Sequence, residues 1–255
     1  MRTKDAQCRL SIKLNRETKS VRLNQKVNFR VTKAIVANEL TRRYGYRVAL
    51  RKVSLEFTVD GIHGLFGANG AGKTTLMRVI STLLRPHGGT ISVMGFDPQE
   101  EPEEVKKRFG LVSDKPLLYG ELTGIENLRF YSKLYGLPSE FFETQVEELA
   151  QRFAIDTWLE EPVKNLSTGL RKRLDIVRSL VHNPELLLLD EPFSGLDKDT
   201  TEDFRDYLNE YRNSRTTIVT THNLAFGATL CDDYVTLRKG IVVSQGPIAE
   251  FDQTL

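Results

Sequence analysis

Long apolar runs are missing from this chain. None, residues 186–189 included, exceeds four positions, against the ~18 that a membrane-crossing helix needs. No charged-then-apolar opening of the secretory kind is present. Cysteine is scarce. Cys8 and Cys231 are the two in 255 residues, which excludes a disulfide framework and reads as two reduced thiols in a cytosolic protein. With four histidines, no Cys/His group has zinc spacing. A net charge of +2 is also small, but it is unevenly placed. Residues 1–30 hold nine Lys/Arg against two Asp/Glu, a balance of +7 that leaves −5 for the rest. An acidic body offers no nucleic-acid surface.

What remains is an ordinary globular composition, 40% hydrophobic and 27% charged, long enough for one large core or two packed lobes. Residues 1–33 read as a basic N-terminal extension. Leu10, Ile12 and Leu14, then Val27, Phe29 and Val31, alternate with polar neighbours. That period of two suits an added edge hairpin or a solvated arm. Residues 34–255 form the main domain. Residues 48–59 are rich in β-branched and apolar side chains, and 62–66 read as a buried strand. A helix over 74–84 stops at Pro86 and Gly88. Residues 90–93 read as a strand. From about 98 to 182 the pattern turns helical, with helices expected at 103–109, 125–135, 141–153 and 169–181. The all-leucine run at 186–189 fits a parallel strand buried on both faces. A helix at 200–212 and strands at 217–220, 234–237 and 241–244 complete an α/β domain.

Gly67, Ala68, Asn69, Gly70, Ala71, Gly72, Lys73 and Thr74 have the spacing G-x-x-x-x-G-K-T. Glycines free the loop to turn its N–H groups toward phosphate oxygens, and the following helix offers its positive end to the same anion. Lys73 brings a point charge, and the Thr74 hydroxyl is placed to ligate Mg²⁺. The leucine strand ends in Asp190 and Glu191. Asp190 at the strand tip suits Mg²⁺, and Glu191 one residue on suits polarising an attacking water. Together these two motifs describe a nucleoside-triphosphate site. His222 closes the strand at 217–220, whereas His63, inside the buried strand at 62–66, reads as structural.

Between the two motifs lies Leu166-Ser167-Thr168-Gly169-Leu170, opening the helix Arg171-Lys172-Arg173-Leu174. Alone, such a segment is an ordinary helix cap. In this order, and followed by Ser194-Gly195-Leu196-Asp197 and Thr220-Thr221-His222, it resembles the signature of the ATP-binding cassette of ABC transporters. The resemblance runs from Val36 to Phe251. Leu166, Ser167 and Gly169 match the usual Leu-Ser-Gly-Gly-Gln, while Thr168 and Leu170 depart from it. The form of the segment is most similar to the bacterial ABC-2 exporters.

The resemblance implies an α/β P-loop NTPase fold, a RecA-like core with an antiparallel β layer and an α-helical signature subdomain. It implies ATP and Mg²⁺ as cofactors, with ATP held by residues Gly67 to Thr75 and Tyr44 stacked on adenine; Tyr46 is the alternative stacker. Catalysis falls to Glu191, His222 and Lys73, and metal binding to Thr74, Asp190 and Asp114. Asp114 stands where the family has glutamine, and a surface aspartate beside Lys115 is the other reading. Ser167, Thr168 and Gly169 would meet ATP held by a second copy, and Asp197 would cross the dimer interface. Residues 117–123 resemble the groove that receives a helix from a membrane partner. A separate permease, an ATP-sandwich dimer and a peripheral place on the cytoplasmic face of the membrane follow. The rival readings are a soluble ABC-type ATPase of translation or DNA maintenance, and a regulatory cassette with weak turnover.

Overall fold

The computed structural model describes residues 32–251. Of the basic extension expected over 1–33, residues 1–31, with the alternating segments at 10–14 and 27–31, lie outside the described residues, and Lys33 already opens a strand. Nine strands run in chain order as β1 (Lys33–Tyr44), β2 (Arg47–Thr58), β3 (Gly61–Phe66), β4 (Gly88–Val93), β5 (Phe109–Val112), β6 (Leu186–Asp190), β7 (Thr216–Thr220), β8 (Asp233–Arg238) and β9 (Ile241–Pro247). The helices are α1 (Lys73–Ile80), α2 (Pro102–Lys106), α3 (Gly124–Tyr135), α4 (Ser139–Arg152), α5 (Thr168–Leu180), α6 (Lys198–Glu210) and α7 (Leu224–Leu230). Three short 3₁₀ turns join them.

Two sheets form. One is antiparallel in the order β2-β1-β4, and the other is six-stranded in the order β5-β6-β7-β3-β8-β9. The first four pairings of the larger sheet are parallel and β8 with β9 is antiparallel. β6 shows why an unbroken leucine run makes a central strand. Leu187 and Leu189 enter the core shared with the helices, and Leu186 and Leu188 enter the core shared with the antiparallel sheet. All four are fully buried, as a strand covered on both faces requires. Burying one such side chain contributes about 2 kcal/mol.

His63 is structural as expected. It is buried, with Nδ1 2.6 Å from Asp233 Oδ1 and Nε2 3.0 Å from the Asp60 carbonyl.

The stretch 98–182 differs from the expected run of helices. The helix expected at 103–109 ends at Lys106, and Phe109 opens a strand, β5, that pairs with β6. Gly110 explains the change. A Cβ there would stand 2.1 Å from the Ser179 carbonyl oxygen, so the strand can lie this close to α5 only with glycine. The four residues of β5 are all buried, which leaves no alternation to read. α7 was also not expected from the sequence; Asn223 starts it, its side chain accepting from Phe226 N at 3.1 Å. Among the described residues no helix is long and apolar enough to cross a membrane.

Candidate functional site

β6, β7 and β3 are neighbours in the sheet, so their carboxyl ends bring three distant segments to one place, where ligands of such sheets bind. β3 runs into the glycine loop, β6 delivers Asp190 and Glu191, and β7 delivers Thr220, Thr221 and His222. The loop turns sharply at Gly67 (φ 138°), where a Cβ would come within 2.2 Å of the Leu237 carbonyl. Gly72 (φ 114°) starts α1 and lies against the Ala49 carbonyl, 2.8 Å from where a Cβ would be. Neither position admits a side chain. Lys73 Nζ donates to the carbonyl of Gly67 at 2.6 Å and to that of Ala68 at 3.4 Å, which centres its charge over the loop.

The two acids are fixed by one hydroxyl. Thr220 Oγ1 donates to Asp190 Oδ1 at 2.7 Å and accepts from Glu191 N at 3.0 Å. Glu191 adopts the left-handed region (φ 48°), a conformation that costs a non-glycine residue about 1 kcal/mol or more and gathers at functional sites. Its Oε2 lies 2.9 Å from His222 Nδ1 and accepts from His222 N at 3.3 Å.

A cleft of ≈ 940 Å³ opens over the loop. Residues Ala68 to Thr75, Tyr44, Asp114, Asp190 and Glu191 line it. Tyr44 is therefore the tyrosine at the cleft, and the fully exposed Tyr46 is not. Arg47 and Lys239, which sequence reasoning passed over, line it too. The Arg47 guanidinium lies beside Gly70, 3.4 Å from where a Cβ would stand. No spacing signal marks either residue, because both approach through tertiary structure. Thr220 opens the motif Thr220-Thr221-His222, but its contact with both acids depends on pairing opposite Asp190.

The donor set fits Mg²⁺. Thr74, Asp190 and Asp114 present hard oxygens in one cleft, and Mg²⁺ takes one or two carboxylates with the remaining places left to water and phosphate. Among the described residues no group of three or more His/Cys/Asp/Glu is assembled for a metal, in keeping with so sparse a protein ligand set. A loop bent by positive φ at Gly67, Gly70 and Gly72 is of the kind that fits a polyphosphate.

Ser167, Thr168 and Gly169 do not line the cleft. Ser167 caps α5, its Oγ accepting from Leu170 N at 3.2 Å. The hydroxyl hydrogen and the free amides of the first turn remain available to an anion. Gly169 packs toward the Gly195 carbonyl, 3.4 Å from where a Cβ would stand. Asp197 caps α6 through Thr200 N at 2.9 Å and pairs with Arg173. The hydrogen bonds from Thr200, then the Arg173 guanidinium, hold its carboxyl down at about 2.

The family described as "ABC transporter" matches residues 50–194. The chain belongs to the ABC transporter family. Among curated proteins, the "ABC transporter ATP-binding protein NatA" of Bacillus subtilis (strain 168) is 36% identical over 78% of this chain and 82% of its own length. The "Daunorubicin resistance ATP-binding protein DrrA3" of Streptomyces coeruleorubidus is 37% identical over 85% and 69%. A solved "Structure of ATP binding subunit of ABC transporter" superposes with a TM-score of 0.79 at 31% identity, covering 84% of this chain and 90% of that one. This cassette is thus the ATP-binding subunit of an ABC transporter, with the P-loop NTPase fold expected of one.

Proposed function

We propose that this cassette hydrolyses ATP and drives a separate membrane permease in the direction of export. One observation carries the hydrolytic part: Glu191 is held on His222 and Thr220 at the mouth of the phosphate loop. The loop amides from Gly67 to Thr75 would bind the polyphosphate, and Lys73 would exchange its loop carbonyls for phosphate oxygens. Thr74, Asp190 and Asp114 would hold Mg²⁺, which when bound neutralises charge on the phosphates. The Glu191 carboxylate would accept a proton from the attacking water, with His222, bound at Oε2, orienting it. Tyr44 would cover the adenine.

The signature residues stand away from this cleft, which supports their serving ATP on a second copy, with Asp197 at the junction. Two chains would then complete two sites. Export is supported by the likeness to a relative named for daunorubicin resistance. A partner in the membrane is supported by the likeness to a relative named an ABC transporter ATP-binding protein. Docked on such a permease, the subunit would sit peripherally on the cytoplasmic face.

Affinity purification from native membranes tests the transport reading. The expected result is an integral membrane protein recovered in near-equal amount. Ribosomal or DNA-bound components in its place would return the protein to the soluble ATPases.

A further inference from the structure

The signature helix α5 buries three charged side chains on one face. Lys172, Asp175 and Arg178 follow one another at every third residue, at 4%, 0% and 3% exposure, so they stack along a single side of the helix. All three reach the backbone of residues 111–117. Arg178 Nη2 donates to the Leu111 carbonyl and Lys172 Nζ to the Ser113 carbonyl at 3.3 Å. Asp175 Oδ1 accepts from Leu117 N at 3.1 Å and from Arg178 Nε at 2.9 Å. Arg178 also lies over the Tyr131 ring of α3, 4.7 Å from its centre.

The clamped segment carries Asp114 into the cleft. Burial lowers the Lys172 ammonium from its ordinary value, while the charges of Asp175, Asp114, Asp190 and Glu191 act in the opposite sense. Lys172 therefore lies in the field of the three carboxylates that line the cleft. It is a cation behind the site where the polyphosphate brings further negative charge. In a site of low polarity such a charge acts far more strongly than at the surface.

We propose that Lys172 is a positioning residue that pins the Asp114 segment to the signature helix and offsets the negative charge of Asp114, so that the cleft accepts Mg²⁺-nucleotide. This rests on the reading of the cleft as the ATP site.

A double-mutant cycle tests it. Binding of a fluorescent ATP analogue is measured with Mg²⁺ for the wild type, Lys172→Met, Asp114→Asn and the double variant, with thermal melting as a check on folding. Lys172→Met is expected to weaken binding about tenfold. The double variant should bind within about threefold of Asp114→Asn alone, a coupling of about threefold or more, within the range that interacting residues show. Lys172→Arg, which keeps the charge, should stay close to wild type. Unaltered binding in Lys172→Met, or losses that simply add, would overturn the proposal. If Lys172→Met does not fold, Lys172→Gln keeps a donor for Ser113 without the charge and runs through the same cycle. A wild type that binds no nucleotide would instead overturn the ATP site itself, and the two failures are distinct.

Discussion

Thr220 shows how much one hydroxyl can do at a catalytic edge. It donates to Asp190 and accepts from Glu191 N, so it fixes the proposed metal ligand and the backbone of the proposed base together. Thr220→Val keeps the shape and removes both bonds. Leaving the buried Asp190 oxygen short of a partner costs about 1–3 kcal/mol, and a shift of the carboxylates should lower turnover by about tenfold to a hundredfold. Thermal melting and phosphate release check the two parts. Unchanged turnover would show that the acids hold their places without Thr220. That Lys73, Asp190 and Glu191 meet at one cleft was legible in the sequence because each stands in a motif of chain neighbours. The contacts of Thr220 and Lys172 were not, because their partners lie 30 and 59 residues away and meet them only across the sheet or between lobes. Cys231 fits the reading of a reduced thiol. Burial pushes it up to about 12, so it stays protonated at neutral pH.

At the scale of elements, caps and buried polar groups decide where helices begin and how they pack. Asp197 starts α6, and replacing it by alanine should remove about 1 kcal/mol of stability, read as a lowered melting temperature. The turn just beyond the C-terminal end of α5 holds His182, which stacks on Tyr135 of α3 with ring centres 3.7 Å apart. Its Nε2 lies 3.0 Å from the Phe109 carbonyl, and Nδ1 has no partner. Burial first, then the charges of Arg178 and Arg215, lower its ionisation to about 4. The folded protein thus resists a proton that the unfolded chain accepts near pH 6.5. Stability is intact above that pH and falls as pH drops toward 4, by up to about 3 kcal/mol. His182→Gln should flatten that decline between pH 6.5 and 4 in denaturant titrations, and a decline identical to wild type would place its origin in other groups. The buried strand β6 was readable from its leucines. β5 was not, since a four-residue strand with every side chain buried has no period, and the glycine that admits it is justified only by the Ser179 carbonyl behind it.

For the whole molecule, the order of strands matters more than any one motif. Placing β6 and β7 beside β3 gathers segments from residues 67 to 222 at the carboxyl end of the sheet, and the connections leave the start of α5 away from the cleft they build. A single chain therefore carries a nucleotide cleft and a separate anion-ready helix start. The proposed association of two copies by ATP draws on that separation. The architecture of core, antiparallel layer and signature subdomain was legible through the order of its motifs, while the boundary of the helical part was blurred by the return of β5 to the main sheet.

The most direct measurement is ATP turnover and oligomeric state in Glu191→Gln, which keeps the shape of the side chain and removes its basic oxygen. The account predicts that phosphate release falls by at least about a hundredfold, that Mg²⁺-ATP still binds, and that the variant with ATP elutes as a dimer. Phosphate release at the wild-type rate would contradict the assignment of Glu191 as the base on which the mechanism rests.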